Sequence, residues 1–267
     1  MKVMTQWATN GQIPVAYQVK GSGIPMVLLH GYLESKEIWK EFTPALILDS
    51  QVFTIDLPGH GQTPPTGDIS TMDLMGEAVL AVLDHHGIDR AVMVGHSMGG
   101  YAALSILEHH PERMLGLVLL HSHPFPDSME VVKKRKREIE IVAKGYQHLL
   151  VANNIPNMFA GETLELFTRE LKKTQRIAGR TTPEGIIAAI RGLMSRPDRS
   201  RVLADSPVPC LNIIGKQDKY IDFEQVSLKT VLPAGSERLI LEYAGHMGFF
   251  EEKIEVYKGL MDFIRQF

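Results

Sequence analysis

Short apolar segments that alternate with longer stretches of helical periodicity constrain this chain more than any other feature. Five of these segments are four to six residues long and almost wholly apolar: 26–29, 52–55, 91–94, 115–120 and 210–214. Such runs predict strands that are buried on both faces of a parallel sheet. The alternation with helical patterns is typical of an α/β fold, in which helices cover both faces of the sheet.

The two ends of the chain and one internal region depart from this alternation. Segments 3–9 and 13–19 flank Asn10-Gly11, a strong hairpin signal, and predict an antiparallel pair at the sheet edge. A last strand at 238–243 precedes a C-terminal helix that ends near Phe267. Only helical periods occur in 124–197. We therefore expect a core domain made of 1–123 and 198–267, with 124–197 as an inserted helical cap.

Composition limits the classes of protein to consider. Of 267 residues, 44% are hydrophobic and 22% are charged, which is ordinary for a globular domain. The net charge of -3 favours neither nucleic acid nor an anionic membrane as a partner. No leader pattern or membrane-spanning apolar run is visible, so we expect a cytoplasmic protein with no membrane span. The oligomeric state stays open.

Isolated charged and sulfur-containing residues receive structural interpretations. The single cysteine, Cys210, lies in an apolar run and is interpreted as a buried thiol. The basic run 133–137 is interpreted as the solvated face of a helix. Arg180, Arg191 and Arg196 are the candidates for an arginine that projects into a pocket, although surface positions are favoured for them.

The segment Gly95-His96-Ser97-Met98-Gly99 lies between a predicted strand and a predicted helix. This is the context in which G-x-S-x-G forms a nucleophile elbow. Side chains at the two flanking glycines would collide with the tight turn. We expect the turn to expose Ser97 at the carboxyl end of the sheet, above the N-terminus of the following helix.

A serine hydroxyl needs a base to take its proton, and the base needs a third group to hold its orientation. Downstream of Ser97, Asp218 follows a buried strand and His246 follows the last predicted strand. Both should reach the sheet edge that carries Ser97. We therefore predict Ser97 as nucleophile, His246 as general base and Asp218 as its orienting acid.

Other histidines and acids are assigned supporting roles. His121 and His123 follow a strand and are expected at the pocket mouth; no suitably spaced acid or cysteine completes a metal site with them, so no metal is expected. Asp56 is interpreted as a carboxylate that stabilises a turn. Asp222 is interpreted as a helix cap or a surface charge.

The oxyanion that forms during attack on a carbonyl requires preorganised donors. We predict the backbone N–H groups of Met98 and Tyr32 for this role. Substrate contacts are expected from five residues: His30, Gly31, His96, His123 and Phe159. Met129, Met158, Phe167 and Met194 are further candidates for apolar walls, although core packing explains such residues equally well.

Five motifs together resemble the α/β-hydrolase family over essentially the whole chain. They are His30-Gly31-Tyr32, Asp56-Leu57-Pro58-Gly59-His60-Gly61, Gly95-His96-Ser97-Met98-Gly99-Gly100, Gly215-Lys216-Gln217-Asp218 and Gly245-His246. The resemblance implies an eight-stranded, mostly parallel sheet flanked by helices, a helical cap after the sixth strand and no cofactor for hydrolytic members. Serine at position 97 disfavours dehalogenase and epoxide hydrolase branches, which carry aspartate there.

Three functions remain for a chain with these features. The first is a serine hydrolase of the carboxylesterase type, which cleaves a small or medium ester through an acyl-enzyme. The second is a carbon–carbon bond hydrolase, perhydrolase or lyase that uses the same residues. The third is a ligand sensor without turnover, which the filled triad positions disfavour.

Overall fold

The computed structural model describes residues 4–9, 11 and 13–267. Within them, eight strands form one sheet: β1 Gln6–Thr9, β2 Pro14–Lys20, β3 Ile24–Leu29, β4 Ser50–Ile55, β5 Ala91–His96, β6 Met114–Leu120, β7 Cys210–Gly215 and β8 Glu237–Leu241. The α-helices are α1 Thr43–Leu46, α2 Met72–His85, α3 Met98–His109, α4 Met129–Ala143, α5 Gln147–Asn157, α6 Thr168–Ala178, α7 Pro183–Ser195, α8 Ser200–Ala204, α9 Phe223–Lys229, α10 Gly248–Glu251 and α11 Lys253–Ile264. Two 3-10 helices occupy Lys36–Glu41 and Pro111–Arg113.

The strand order across the sheet is β1-β2-β4-β3-β5-β6-β7-β8. β2 is antiparallel to both of its neighbours, β1 and β4, and all the other pairs are parallel. The prediction of an eight-stranded, mostly parallel sheet with an antiparallel edge is therefore confirmed. Val3 and the predicted turn residue Asn10 lie outside the described residues.

The central strands are buried on both faces, as their unbroken apolar runs predict. In β3, Met26 and Leu28 belong to one hydrophobic cluster, while Val27 and Leu29 belong to another on the opposite face. Successive side chains of a strand point to opposite sides, so a strand covered on both sides needs apolar residues at every position. The first cluster includes Trp39, which packs the first 3-10 helix onto the sheet.

The chain leaves the sheet after β6 and returns to it at β7. Between these strands it forms helices α4 to α7 and the short helix α8. Their buried side chains join the hydrophobic cluster that contains Met26 and Leu28, and some of them also join the opposite cluster. None of the helices in the described ranges has both the length and the hydrophobicity of a bilayer-spanning segment.

Cys210, the single cysteine of the sequence, begins β7 and is fully buried. Burial raises the pKa of its thiol to about 12. The expectation of a buried thiol is confirmed, and the thiolate form is essentially absent at neutral pH.

Candidate active site

Ser97 lies in the turn between β5 and α3, with α3 beginning at the next residue. A Cβ atom on Gly95 would lie 2.4 Å from the backbone N of Gly100, and one on Gly99 would lie 2.5 Å from the carbonyl O of Leu29. Both distances are shorter than van der Waals contact, so the predicted requirement for glycine on either side of Ser97 is confirmed. The tight turn leaves the side chain of Ser97 half-buried at the edge of the sheet.

Backbone strain is concentrated at this edge of the sheet. Among the described residues, the non-glycine residues with positive φ are Leu33 (63°), Ser97 (50°) and His121 (47°). They follow β3, β5 and β6, and both Leu33 and Ser97 line the same cleft. Conformations of this kind cost about 1 to 3 kcal/mol each and are retained where function requires a specific geometry.

Asp218 and His246 meet at the ends of β7 and β8. His246 Nδ1 lies 2.7 Å from Asp218 Oδ2, while Asp218 Oδ1 accepts hydrogen bonds from the backbone N–H groups of Tyr220 (2.8 Å) and Ile221 (3.0 Å). Burial alone would raise the pKa of Asp218, but its interactions with His246, including the Nδ1 hydrogen bond, and with the nearby His121 ring outweigh burial and hold this pKa well below its usual range. Asp218 is therefore a carboxylate and accepts a hydrogen bond from the Nδ1–H of His246.

His121 lies behind this pair rather than at the mouth of the cleft, where the sequence predicted it. The backbone N–H of Gly248 donates to His121 Nε2 at 3.2 Å, so in the neutral ring the proton is on Nδ1. Nδ1 faces Asp218 Oδ2 at 3.4 Å, a long and poorly aligned contact. Burial lowers the pKa of His121 to about 4, against the opposing effect of Asp218, which keeps the ring neutral.

Three potential metal ligands come together here, although no residue spaced as a metal ligand accompanies His121 in the sequence. The ligand atoms of His121, Asp218 and His246 lie within 4.8 Å of one another. Asp218 and His246 are far from His121 in sequence, so no spacing pattern signals the group. The 2.7 Å contact within it is a hydrogen bond, and a bound ion would have to displace that proton.

A cleft of about 450 Å³ opens above Ser97. Its floor contains Ser97, Met98, Tyr32 and His246, and side chains from α4, α5 and α7 form the opposite wall. The backbone N–H groups of Met98 and Tyr32 have no acceptor among the described residues. The hydroxyl of Tyr32 also lacks a partner there, and burial raises the pKa of this phenol well above its usual value.

Of the five expected substrate contacts, only His123 lines the cleft. His30 is fully buried; its Nδ1 donates to the carbonyl of Gly31, and its Nε2 accepts from Leu57 N–H. Gly31 and His96 are buried beneath the cleft floor, and Phe159 is fully buried in the main hydrophobic cluster. These four residues therefore build the framework of the site. Of the further candidates for apolar walls, Met158 lines the cleft, whereas Met129 is 88% exposed on the surface.

The cleft wall contains Arg196, a candidate for the pocket arginine for which a surface position was favoured, and Arg135, from the basic run that was interpreted as a solvated helix face. Arg196 Nη1 lies 2.7 Å from Asp127 Oδ1, and Arg135 Nε lies 2.6 Å from Asp127 Oδ2. The side chain of Arg196 is only 4% exposed, and its guanidinium lies 4.1 Å from the centre of the Tyr101 ring. The surface interpretation was wrong for both arginines because the buried carboxylate of Asp127 compensates their charge. No local sequence pattern indicates this pairing.

Two acids agree with their structural interpretations. Asp56 is fully buried and accepts hydrogen bonds from the backbone N–H groups of Lys36 (2.7 Å) and Gln62 (2.9 Å) and from the Lys36 ammonium group, which fixes the turn after β4. Asp222 is the N-cap of α9 and accepts from the backbone N–H of Gln225 at 2.8 Å.

Comparison with known proteins shows one consistent fold. Residues 24–140 match the family model described as the α/β-hydrolase fold. A thermophilic esterase from Thermogutta terrifontis, solved with malate bound, superposes with a TM-score of 0.92 at 26% identity over 98% of both chains. The enol-lactonase from Burkholderia xenovorans LB400 gives a TM-score of 0.90 at 22% identity, covering 97% of this chain and all of the other.

A curated relative has a different stated activity. The chain is 28% identical over 248 residues to the dihydrolipoyllysine-residue acetyltransferase component of the acetoin cleaving system of Pseudomonas putida. The alignment covers 91% of this chain but 64% of that relative, so the chain spans less than two thirds of its length. Similar proteins thus include both a hydrolase that acts on esters and a protein named for acyl transfer.

Proposed function

This chain belongs to the α/β-hydrolase fold superfamily, and on that premise we propose that it is a serine hydrolase that cleaves a small or medium carboxylic ester. The observation that carries the proposal is the bond from His246 Nδ1 to the Asp218 carboxylate. Because a carboxylate only accepts, the proton of the neutral imidazole is on Nδ1, and Nε2 is left free as a base. Ser97 and His246 line the same cleft.

The proposed reaction has two halves. His246 Nε2 takes the proton of Ser97 as Oγ attacks the ester carbonyl, and the N–H groups of Met98 and Tyr32 hold the oxyanion. The imidazolium then protonates the leaving alcohol, which gives an acyl-enzyme on Ser97. A water molecule, deprotonated by His246, attacks the acyl group, and Ser97 is released with its proton restored. No cofactor takes part in this scheme.

We further propose that 124–197 acts as a cap on a core formed by 1–123 and 198–267. Two contacts support this division. The backbone N–H of His246 donates to the carbonyl of Met158 at 2.7 Å, and the backbone N–H of Ser70 donates to the carbonyl of Ala188 at 3.1 Å. A cap in this place would set the length of the acyl group, and the cleft volume of about 450 Å³ suits a small-molecule ester.

A fluorophosphonate probe and a panel of nitrophenyl esters of graded acyl length test the nucleophile. We expect the probe to modify Ser97 and to stop ester turnover in proportion to labelling. Ser97→Ala should lower kcat by at least about 1000-fold because only binding and the oxyanion donors remain. Folded wild-type protein that resists the probe would remove the proposal.

The arginines of the cleft favour a second candidate, a carbon–carbon hydrolase or lyase that acts on an anionic substrate. Asp127 fixes Arg135 through Nε only, and Nη1 and Nη2 of Arg135 have no partner among the described residues. Such a planar fork suits a carboxylate. The buried carboxylate of Glu138 lies on the same helix and opposes this preference. Comparing turnover of a nitrophenyl ester with that of a vinylogous diketone separates the two reactions.

Arg135→Met tests whether the cleft prefers a charged acyl chain. We expect kcat/KM for mono(4-nitrophenyl) glutarate to fall about 10-fold or more, while the value for 4-nitrophenyl hexanoate changes little, because a charge-assisted hydrogen bond contributes roughly 1.5 to 3 kcal/mol. Asp127 keeps its bond to Arg196 in this variant. Arg137→Met, an identical change at an exposed position of α4, is the control. Equal losses for both esters would exclude a carboxylate contact.

The remaining alternatives differ in what accepts the acyl group or whether turnover occurs. In perhydrolysis, hydrogen peroxide instead of water attacks the acyl-enzyme. In acyl transfer, which is the activity named for the relative from Pseudomonas putida, another nucleophile takes the place of water. Both would proceed through the same acyl-Ser97. A ligand sensor would form no acyl-enzyme. Trapping the acyl group on Ser97 in a single-turnover experiment therefore distinguishes the three enzymatic reactions from a sensor.

A further inference from the structure

A buried acid–base pair lies beneath the candidate site, outside the three residues proposed for the reaction. Glu34 belongs to the loop after β3, and His96 is the last residue of β5. His96 Nδ1 lies 3.0 Å from Glu34 Oε2, and neither side chain has any exposed surface. The rings of Trp39 and Phe249 pack edge-on against His96, with centroids 6.4 and 5.1 Å away. The pair is therefore shielded from solvent, with aromatic rings against the imidazole.

Hydrogen-bond geometry places one proton on His96 Nε2 and a second proton between His96 Nδ1 and Glu34. Nε2 lies 2.8 Å from the backbone carbonyl O of His246, which can only accept, so Nε2 has a proton. Nδ1 faces Glu34 Oε2, which also accepts from the backbone N–H of Gly31 at 2.6 Å. If Glu34 is ionised, this oxygen accepts both bonds and His96 is an imidazolium paired with a carboxylate.

The charged groups around His96 favour the same state. Burial lowers the pKa of His96, but the charge and the hydrogen bond of Glu34 outweigh it and raise this pKa above its usual value. Burial raises the pKa of Glu34, and the positive charge of His96 more than reverses this. His30, His121 and His246 also face the ring. Asp218, farther away, adds to the preference for the charged form.

The bonds of this pair join the three segments that carry the proposed chemistry. Gly31 N–H, bonded to Glu34, precedes the proposed donor Tyr32 in the chain. His96 directly precedes Ser97 and bonds to the main chain of His246. A Cβ on Gly31 would lie 2.9 Å from His96 Nδ1 and 3.1 Å from Glu34 Oε2, so glycine is needed there for the pair to approach the loop.

We propose that Glu34 and His96 are positioning residues that lock the oxyanion loop, the nucleophile turn and the backbone of His246 into one fixed arrangement. The catalytic part of this inference rests on the proposed function; the protonation of His96 does not. His246 is then held from both sides, since its N–H donates to the carbonyl of Met158 and its carbonyl accepts from His96. Glutamine at position 34 cannot replace the carboxylate. Its amide oxygen can accept from Gly31 N–H, but without the negative charge His96 Nδ1 loses its proton and cannot donate to the same oxygen.

Nitrogen NMR of wild-type protein labelled with ¹⁵N-histidine tests the protonation state without any variant. We expect one histidine to keep both ring protons at pH 8, with chemical shifts of an imidazolium. The signal should be absent in His96→Asn, which assigns it. In Glu34→Gln it should move to the shifts of a neutral ring. Glu37→Gln, the same change at an exposed site paired with Arg180, should leave it in place. A fully neutral set of histidines in folded wild-type protein at pH 8 overturns the pairing.

Kinetics of the same variants test the positioning role. Glu34→Gln should lower kcat for a nitrophenyl ester by about 100-fold with KM changed less than about twofold, the loss expected when a catalytic group moves by about 1 Å. Glu37→Gln should retain the wild-type kcat. If Glu34→Gln is folded and neutralises His96 but keeps kcat, the pair has a structural role only and the proposal is wrong. Should Ser97 fail to react with the fluorophosphonate, the proposed function fails while the NMR result still decides the pairing.

Discussion

Asp218 makes more hydrogen bonds than an orienting partner of His246 requires. One oxygen takes two backbone N–H groups, and the other faces His246 and His121. The backbone bonds fix the carboxylate plane, so the position of the His246 ring follows from the loop after β7. At the residue scale, the direction of one carboxylate thus determines which nitrogen of His246 is the base.

Asp218→Asn should therefore abolish activity by changing the tautomer of His246 rather than by unfolding the protein. The amide oxygen can keep the bonds from Tyr220 and Ile221, which turns the amide NH₂ towards His246 Nδ1. Nδ1 would then accept, and the proton would move to Nε2, where it blocks the base. We expect kcat to fall by about 10⁴-fold while the protein stays folded at the assay temperature. Asp262→Asn on the exposed surface is the control, and ester turnover with a melting curve is the measurement. A loss below 10-fold would mean that Asp218 does not set the tautomer.

Single-residue roles could be predicted from sequence where a motif or a strand end marks them. Ser97, Asp218 and His246 each follow a recognisable strand, and parallel strands bring their carboxyl ends to one edge. His121 also follows a strand, yet nothing local shows that its ring turns behind Asp218. Arg135 gives no signal, because nothing in the sequence shows that its side chain turns back towards Asp127, just before α4.

At the scale of elements, the turn between β5 and α3 is the least tolerant segment. Gly95→Ala would place a methyl group 2.4 Å from backbone atoms of Gly100, which cannot move without opening the turn. We expect the free energy of unfolding, measured in urea, to fall by about 3 kcal/mol. This is the upper end of the range for overpacked side chains, because the added methyl group meets backbone atoms. Gly161→Ala is the matched control, as its added methyl group would meet nothing closer than 3.8 Å. Equal midpoints for the two variants would contradict this account.

Elements with continuous apolar runs could be predicted closely, and their ends less well. β6 was expected at 115–120 and is observed at Met114–Leu120. β8 was expected to reach Tyr243 but ends at Leu241, because the N–H groups of Tyr243 and Ala244 both donate to the carboxylate of Glu252. That acceptor is on another element, so periodicity within the strand cannot indicate where the strand stops.

At the scale of the whole molecule, buried neutral histidines should control stability in acid. Burial lowers the pKa of His30 and of His121 to about 4 and that of His60 to about 3, while an unfolded histidine titrates near 6.5. Between these values the unfolded chain binds more protons, so the free energy of unfolding rises with pH and falls on acidification.

We expect urea unfolding to show a loss of several kcal/mol between pH 7 and pH 5, at about 1.4 kcal/mol per pH unit for each buried histidine. His60→Gln should reduce this slope by about 1.4 kcal/mol per pH unit, the contribution of one proton, whatever its effect on the urea midpoint at pH 7. The exposed His148→Gln should leave the slope unchanged. A flat profile between pH 7 and pH 5 would show that these rings are already protonated in the native state.

The burial of Cys210 makes this chain convenient for spectroscopy. Since the thiol is inaccessible and its pKa lies near 12, maleimide reagents should pass over it in the native protein. A cysteine placed on the outer face of α4 would then accept a fluorophore or spin label alone, without first removing the natural one. Distances measured from such a label to a second site on α11 would report whether the helices above the cleft shift during turnover.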